Sequence, residues 1–366
     1  MKFQIEKEAL LHPLQQIIGA VEKRQTMPAL SNVLIRATEN SLTFTATDLE
    51  IELVSNIAMI VDEPGEITLP ARKLLDICKS LNNEAIIKFS VKDNKALIRS
   101  DRNRFSLTTL PANDFPALDE INIVQEFEIT QKTLHDLIDK TAFAMAQQDV
   151  RYYLNGLMFE VSTNALCAVA TDGHRLAYCK KDIKFDAADI RQIILPRKGV
   201  LELVRLLESS DEMVKLKIGS NHLQVEFNTI RLTSKLIDGR FPDYNRVMPA
   251  ETDNTIIADR AELRQSLTRA SILSNEKYRG IRLILNTDLI KLQAQNPDQE
   301  EADIEVEVIY KGDAIEIGFN VNYMLDVLNV CDASMITIAL RDSNSSFLLS
   351  YPDQDDSKYV IMPMRL

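Results

Sequence analysis

The segment ATDGHRLAYCKK, residues 170–181, packs Thr171, Asp172, His174 and Arg175 into five positions ahead of an alternating apolar run. Ala-Thr-Asp also occurs 124 positions earlier, in ATDLEIELV from Ala46 to Val54, a stretch with neither histidine nor arginine. A further 124 positions brings Ala294-Gln295-Asn296, where the alanine persists and the polar pair has changed. Two other markers keep this period. Leu75-Asp76-Ile77, Leu201-Glu202-Leu203 and Leu325-Asp326-Val327 are spaced by 126 and 124, and Phe115-Pro116 recurs 126 positions on as Phe241-Pro242. A fixed period is the signature of repeated structural units. The chain reads as three units of about 120 residues, an ordinary domain size, over residues 1–118, 126–246 and 253–366.

Each unit runs in the same order. A short apolar strand opens it (FQI from Phe3, FEI from Phe127), and a segment with apolar residues at helical spacing follows: EALLHPLQQIIGAV, QKTLHDLIDKTAFAMA and RAELRQSLTRASIL. Alternating strands come next, then a second helix: ARKLLDICKSL, RKGVLELVRLL or NVNYMLDVLNVC. The first two follow Pro70 and Pro196, as helix starts allow. Further strands close the unit, with turn signals at Asp62–Gly65 and Asp238-Gly239. Strand runs with two separated helices predict an α+β fold whose helices cover one face of antiparallel sheets. The linkers PALDEINIVQ (116–125) and VMPAETDN (247–254) are too short for the units to swing freely.

Composition removes several function classes. The amino terminus MKFQIEKEALLHPLQQ is charged where a signal peptide needs an apolar run, and no stretch reaches the roughly 20 apolar residues that span a bilayer. A cytoplasmic protein is expected. Cys78, Cys167, Cys179 and Cys331 form no CxxC pair and have no ligand spacing with the four histidines, so no metal site is expected. With only 10 glycines there is little material for a phosphate-binding loop, and no cofactor is expected.

A net charge of −12 argues against nucleic acid when taken alone. The basic residues are gathered, however. The second helices carry Arg72, Lys73 and Lys79, then Arg197, Lys198 and Arg205; Lys23 and Arg24 follow the first helix. Lys277, Arg279 and Arg282 follow its counterpart in the third unit, whose second helix has no basic residue. Singly, such charges are solvated helix faces; their recurrence at equivalent places weighs against that reading. The two ends differ in sign. RSDRNRFSL presents Arg99, Arg102 and Arg104 with Phe105 and Leu107, while NPDQEEADIEVEV offers Asp298, Glu300, Glu301 and Asp303. Either could be a sheet edge protected by charge, and the opposed signs suit a head-to-tail contact that closes with two-fold symmetry.

ATDGHRLA, YYLNGL (152–157), SKLIDGRFPDY (234–244), ILSNEKYRG (272–280) and the closing MPMRL, together with the three tandem units, resemble the bacterial DNA polymerase III beta subunits, the sliding clamps. The similarity runs the full length. It implies three repeats of the DNA clamp fold in each subunit and a ring-shaped homodimer, with helices lining a central hole and antiparallel sheets outside. Such a ring encircles duplex DNA without reading sequence and tethers the replicative polymerase. An ATP-driven clamp loader opens it, and the clamp itself catalyses nothing.

By position, the resemblance makes Arg24, Arg72, Lys79, Gln148, Tyr152, Tyr153, Arg197 and Lys198 the residues that face DNA; the tyrosine pair reads equally as a core aromatic and its neighbour. It also implies a partner-docking pocket. The second unit would supply Leu154, Thr171, Gly173, His174, Arg175, Leu176, Pro242, Arg246 and Val247. The third would supply Asn320, Tyr323, Ser346, Val360, Met362, Pro363, Met364 and Arg365. Two methionines in the tail are adaptable, as a surface with several partners requires, whereas a final core strand accounts for Val360 and Met362 but less easily for Met364. The expected ligands are short extended peptides with a leading glutamine and a leucine or phenylalanine end, carried by the polymerase catalytic subunit, the loader, and repair and translesion polymerases. Asn344 stands on the pocket rim where the family's best-known members carry an apolar residue. The subunit contact implied is Phe105 and Leu107 against Ile272 and Leu273, with Lys73, Arg102 and Arg104 facing Glu300 and Glu301.

Two other readings compete. A hydrolase centred on Asp172 and His174 lacks a nucleophile in recognisable context. A conventional DNA-binding protein that grips through basic helices fits the acidic total poorly.

Overall fold

The computed structural model describes residues 1–22, 27–116, 118, 121–185, 190–249, 254–352 and 354–365. Arg24 and parts of both linkers lie outside them. Six helices are present among the described residues: α1 (Lys7–Ile17), α2 (Ala71–Ser80), α3 (Gln131–Asp139), α4 (Arg197–Leu206), α5 (Arg260–Ser271) and α6 (Val321–Val330). They fall two to a repeat, as the apolar spacing predicts, and α1 and α3 give way to 3-10 turns before the periodic pattern ends.

Among the described residues the strand pairings are antiparallel, in two four-stranded and two eight-stranded sheets. The chain forms two compact units that do not follow the three repeats: residues 1–132 with 201–236, and residues 133–200 with 237–366. Sheet pairing explains why. In the first unit the repeat-one strand Ile51–Ala58 pairs with Ile230–Lys235 of repeat two, completing one eight-stranded sheet. In the second unit Arg175–Asp182 of repeat two pairs with Gln354–Ile361 of repeat three, completing the other. Each half of the middle repeat thus removes a sheet edge from a neighbour, which stabilises both. The strand Ile123–Thr130 also begins inside the expected linker.

Within each repeat the first residue of the first helix ties down the last turn of the second or the residues just after it. The buried Lys7 ammonium donates to the Leu81 carbonyl at 2.8 Å and to Asn83 at 3.0 Å. Gln131, fully buried, accepts from the Glu208 amide at 3.0 Å. Arg260 donates to the Leu328 carbonyl at 3.1 Å. Lysine, glutamine and arginine therefore meet one structural demand, a polar partner for backbone groups left over at a helix end. Arg205 is another such group. Its guanidinium donates to the Gln15 and Gln16 carbonyls at 3.1 and 2.6 Å, at the end of α1, and pairs with Glu202.

Candidate DNA-facing and partner-docking sites

The Thr-Asp pair is a turn device. Thr171 Oγ1 donates to the Arg175 carbonyl at 2.6 Å and accepts from the Gly173 amide at 3.1 Å. Asp172 Oδ1 accepts from the His174 and Arg175 amides at 2.9 and 3.1 Å. The first repeat reproduces every bond: Thr47 with the Ile51 carbonyl and Leu49 amide, Asp48 with the Glu50 and Ile51 amides. These side chains close the hairpin between adjacent strands by local capping. The altered third copy keeps the principle, since Asn296 Oδ1 accepts from the Asp298 and Glu300 amides, both at 3.0 Å. The position after the aspartate is left-handed in both exact copies, with φ 88° at Gly173 and 78° at Leu49. Glycine takes that conformation without strain, and leucine does not.

Where the second copy departs from the first, Arg175 does something new. Its guanidinium pairs with Asp172 at 3.2 Å and with Asp326 of α6, and it donates to the Phe143 carbonyl at 2.9 Å. It also lies 4.6 Å from the Tyr323 ring centroid and 5.3 Å from that of Phe143. Only 12% of the side chain is exposed, so the arginine is largely enclosed by its own partners. Next to it the exposed His174 ring stacks on Tyr323 with an interplanar angle of 17°. On the other side Arg151 donates to the Asp172 carbonyl at 3.2 Å and pairs with Asp149, whose carboxyl it holds down at about 2. A hydrolase centred on Asp172 and His174 would need the Asp172 carboxylate for the imidazole, yet Asp172 serves two turn amides and Arg175.

Several of the docking-pocket candidates gather on one face of the eight-stranded sheet of the second unit. Leu154, Leu176 and Val360 sit in one apolar cluster with Met158, Val169, Ile194, Phe241 and Tyr244, and Val247 packs on it. The three are only 1–3% exposed, so they form the floor of a surface and not its free lining. The tail runs over this floor. The final strand ends at Ile361, one residue short of Met362, which is 39% exposed. The Met362 amide donates to the His174 carbonyl at 2.9 Å and the Met364 amide to the Gly318 carbonyl at 2.8 Å. Pro363, Met364 and Ser346 are half-buried, while Arg365 and Asn344 are exposed. Pro242 and Arg246 are exposed, and Arg246 pairs with Asp243 at 3.1 Å. Asn320 departs from a purely ligand-facing role, because its side chain caps α6 by accepting from the Asn322 amide at 2.9 Å.

The DNA-facing candidates divide by environment. On α2, Leu74, Leu75 and Cys78 are buried, and Arg72, Asp76 and Lys79 follow one another at i+4 and i+3 on the exposed side with Lys73 beside them. Arg72 is also anchored, donating to the Val21 carbonyl at 3.0 Å. Gln148 is exposed at φ 55°, and Tyr152 is 57% exposed while Tyr153 packs on the apolar cluster. Arg197 and Lys198 open α4 half-buried; burial and then the Arg175 charge lower the Arg197 guanidinium below its usual range. Sequence reasoning passed over the cations on the first helix of the third repeat. α5, with Arg264 and Arg269 exposed, carries the basic residues that α6 lacks, and Arg264 reaches Asn329 of α6 at 3.3 Å. The basic run inside RAELRQSLTRASIL was the available signal. Of the other cations expected there, Arg282 is a strand residue paired with Glu316, and Arg279 donates to the Ser271 carbonyl.

Both charged segments are edge strands. Asn103–Thr108 ends the four-stranded sheet of the first unit, with Arg102 and Arg104 exposed and Phe105 and Leu107 half-covered. Glu301–Glu307 ends that of the second unit, with Glu300 and Glu301 exposed. Ile272, just past α5, is 73% exposed, and Leu273 is half-buried. No group of three metal-ligating side chains comes together among the described residues, and none of their helices is long and apolar enough to cross a membrane.

Three family models match consecutive parts of the chain: the N-terminal domain of the DNA polymerase III beta subunit over residues 1–119, its central domain over 128–243 and its C-terminal domain over 245–365. Curated relatives named beta sliding clamp, from Pseudomonas aeruginosa and Escherichia coli K12, are 53% and 47% identical over the whole of both chains. Among solved structures, a Pseudomonas aeruginosa DNA polymerase sliding clamp superimposes with a TM-score of 0.97 at 53% identity, and one from Caulobacter crescentus with 0.94 at 37%. Both matches cover all of each chain.

Proposed function

The chain belongs to the DNA polymerase III beta subunit family, and from that premise we propose how its own residues do the work of a clamp. It is a DNA sliding clamp, a processivity factor of replication and a scaffold without catalytic chemistry of its own. It partners DNA and the polymerase.

In the finer reading, the three repeats at 1–118, 126–246 and 253–366 are clamp domains, and two subunits close a ring around duplex DNA. Arg24, Arg72, Lys79, Arg197 and Lys198 meet phosphates, Gln148 and Tyr152 touch the nucleic acid at the rim, and Tyr153 backs them. Phosphate contacts carry no sequence information and weaken with salt, which is what a sliding body requires. A subunit of net charge −12 repels DNA over the rest of its surface. The subunit contact pairs the basic edge at Arg102, Arg104, Phe105 and Leu107 with the acidic edge at Glu300 and Glu301, with Ile272 and Leu273 as its apolar part and Lys73 at its margin. Two sheet edges of opposite charge support this closure.

The observation that carries the docking site is the tail: Met362 and Met364 are fixed through their amides to the His174 and Gly318 carbonyls over an apolar floor. Short extended peptides of the polymerase catalytic subunit, the clamp loader and repair and translesion polymerases would compete for it in the cytoplasm. Replacing Met362 and Met364 with glutamate tests the site. Polymerase binding should be lost while the native mass stays that of a dimer; a monomer, or undiminished polymerase binding, would contradict it.

A further inference from the structure

The four-stranded sheet of the first unit sets Lys2–Glu6, Ile86–Lys92, Lys95–Ser100 and Asn103–Thr108 side by side in that order. Alternation turns Phe3, Ile87, Phe89 and Ile98 into the core, where the Phe3 and Phe89 rings stack with centroids 4.7 Å apart. The opposite face carries Lys88 and Lys92 on one central strand and Lys95 and Arg99 on the other, all exposed. Register sets like charge against like. Lys88 faces Arg99, Lys92 faces Lys95, and Arg99 faces Arg104 on its other side. Between these rows runs a neutral one of Ser90, Leu97 and Ser106.

Like charges directly opposite one another destabilise a sheet. Elsewhere on its sheets the chain sets opposite charges together. Arg36 faces and pairs with Glu66 at 3.0 Å, and Lys217–Glu226 and Lys291–Asp303 bridge neighbouring strands at 2.7 and 3.3 Å. Among the described residues, the side chains of Lys88, Lys92, Lys95 and Arg99 have no such ion pair. The carboxylates of this face stand at its margin, on the side of the first strand: Glu6 opposite Ile86, and Glu63 bridged to Lys2. Asp93 and Asp101 occupy the turns that join the strands. Four cations are thus held together on a flat face of a chain whose net charge is −12. Their repulsion costs the fold something that no contact within the sheet returns.

We propose that this face docks an acidic segment of a partner protein, at a site other than the apolar floor of the second unit. Charge complementarity names the occupant, because clustered cations recognise runs of carboxylates. Arg104 belongs to the subunit contact proposed above, so the docking cations are Lys88, Lys92, Lys95 and Arg99. The amides of the two central strands are turned sideways into the ladder. The face therefore lacks the backbone donors that phosphate-binding surfaces add to their cations. The two cationic rows stand four residues, or about 13 Å, apart along the strands. A duplex is a rigid cylinder and meets a flat sheet along one line, whereas a peptide lying flat spans both rows. Leu97, half-buried between them, gives such a peptide an apolar contact. Exposed ion pairs are individually weak and screened by salt, so affinity needs several carboxylates at once.

The test uses the full-length protein and fluorescein-labelled probes, read by anisotropy at low salt. The probes are the amidated peptide Glu-Asp-Glu-Leu-Glu-Asp-Glu, the same peptide with glutamine and asparagine for its acids, and a short oligothymidylate. The acidic peptide should bind roughly tenfold tighter than its amide counterpart. The K88Q/K95Q/R99Q variant should lose that preference, whereas R72Q/K79Q, altered on α2, should keep it. Unlabelled Gln-Ala-Ala-Leu-Phe, a ligand for the docking groove, should not displace the acidic peptide. K88Q/K95Q/R99Q should also unfold at the parent's temperature or above it, since neutralising facing like charges removes repulsion. A lower unfolding temperature would mean that the cations serve the fold, and would overturn the proposal. So would equal binding of the acidic and amide peptides, a preference that survives in K88Q/K95Q/R99Q, or displacement by the groove ligand. Tighter binding of the oligothymidylate, lost in K88Q/K95Q/R99Q, would make the face a nucleic-acid surface and overturn the assignment to an acidic protein segment.

Discussion

Arg175 and Asp326 stand 151 residues apart and form an ion pair that joins the hairpin of the second repeat to helix α6 of the third. The guanidinium is largely enclosed and is held as well by Asp172, the Phe143 carbonyl and two aromatic rings. It therefore fixes the spacing between His174 on one side and Tyr323 on the other. In the Asp326→Ala variant the arginine keeps its enclosure and loses a counter-charge. Thermal unfolding of the second unit should shift by the equivalent of about 1–2 kcal/mol, given that Asp326 is partly exposed. Affinity for the Gln-Ala-Ala-Leu-Phe peptide should fall with it. An unchanged transition would mean that Asp172 alone holds the arginine.

The hairpin turns predict opposite responses at equivalent positions. Gly173 at φ 88° has the Arg151 guanidinium 3.0 Å from where a Cβ would lie. Gly173→Ala should cost about 1–3 kcal/mol, through backbone strain and displacement of that arginine. Leu49 at φ 78° already bears the strain and is partly exposed. Leu49→Gly should be neutral or stabilising, because relief of strain offsets the greater freedom of glycine in the unfolded chain. Calorimetry of the two variants decides it, and destabilisation at Leu49 would show that its side chain matters more than its φ.

Charge predicts the salt response. Arg72 and Lys79 are exposed at i and i+7 on α2. If each meets a phosphate, the R72Q/K79Q variant should flatten the slope of log affinity against log salt by about 0.9 for each phosphate no longer neutralised. The measurement is competition for a short duplex over a salt series. A parallel line of lower affinity would mean that the helix faces away from DNA.

Cys78 predicts a pH response. Burial raises its thiol from 9.0 to about 12. A thiol with a raised folded-state value stays protonated while its unfolded counterpart ionises. Its effect on stability is therefore absent below about pH 9 and becomes a growing loss between 9 and 12. Iodoacetamide at pH 8 should leave Cys78 unlabelled in the native protein and label it in denaturant, as mass mapping would show. Rapid native labelling would contradict its burial.

Much of this architecture was legible in the chain. The Ala-Thr-Asp, Leu-Asp-Ile and Phe-Pro markers give the period, and the apolar spacing of EALLHPLQQI or ARKLLDICKS gives two helices to a repeat. What local pattern does not encode is pairing at long range. The strands Ile230–Lys235 and Gln354–Ile361 look like any alternating run, yet each joins a neighbouring repeat's sheet, which is why the compact units number two. Arg205 reads as one more surface cation, although the end of α1, nearly two hundred residues away, supplies its partners. Asp326 was visible only as a repeat marker, because the arginine it neutralises lies in another repeat. The docking floor was named largely from its resemblance to clamps, and its burial follows from a loop, 237–248, whose packing no periodicity announces.

The apolar subunit contact is tested by substitution. Ile272 is 73% exposed and Leu273 half-buried, just past the end of α5. Replacing both with alanine should yield folded monomers by native mass spectrometry. A variant that remains dimeric would move the interface away from the end of α5.

The most direct test of the clamp account is topological. The protein is loaded onto a nicked circular plasmid with a matched loader and ATP, the plasmid is cut once, and retention is measured by gel filtration at moderate salt. Release on cutting is the predicted result, because a ring that holds DNA by enclosing it slides off a free end. Retention on the linear form would mean that the basic helices grip DNA directly, and that ring closure is not what keeps the protein there.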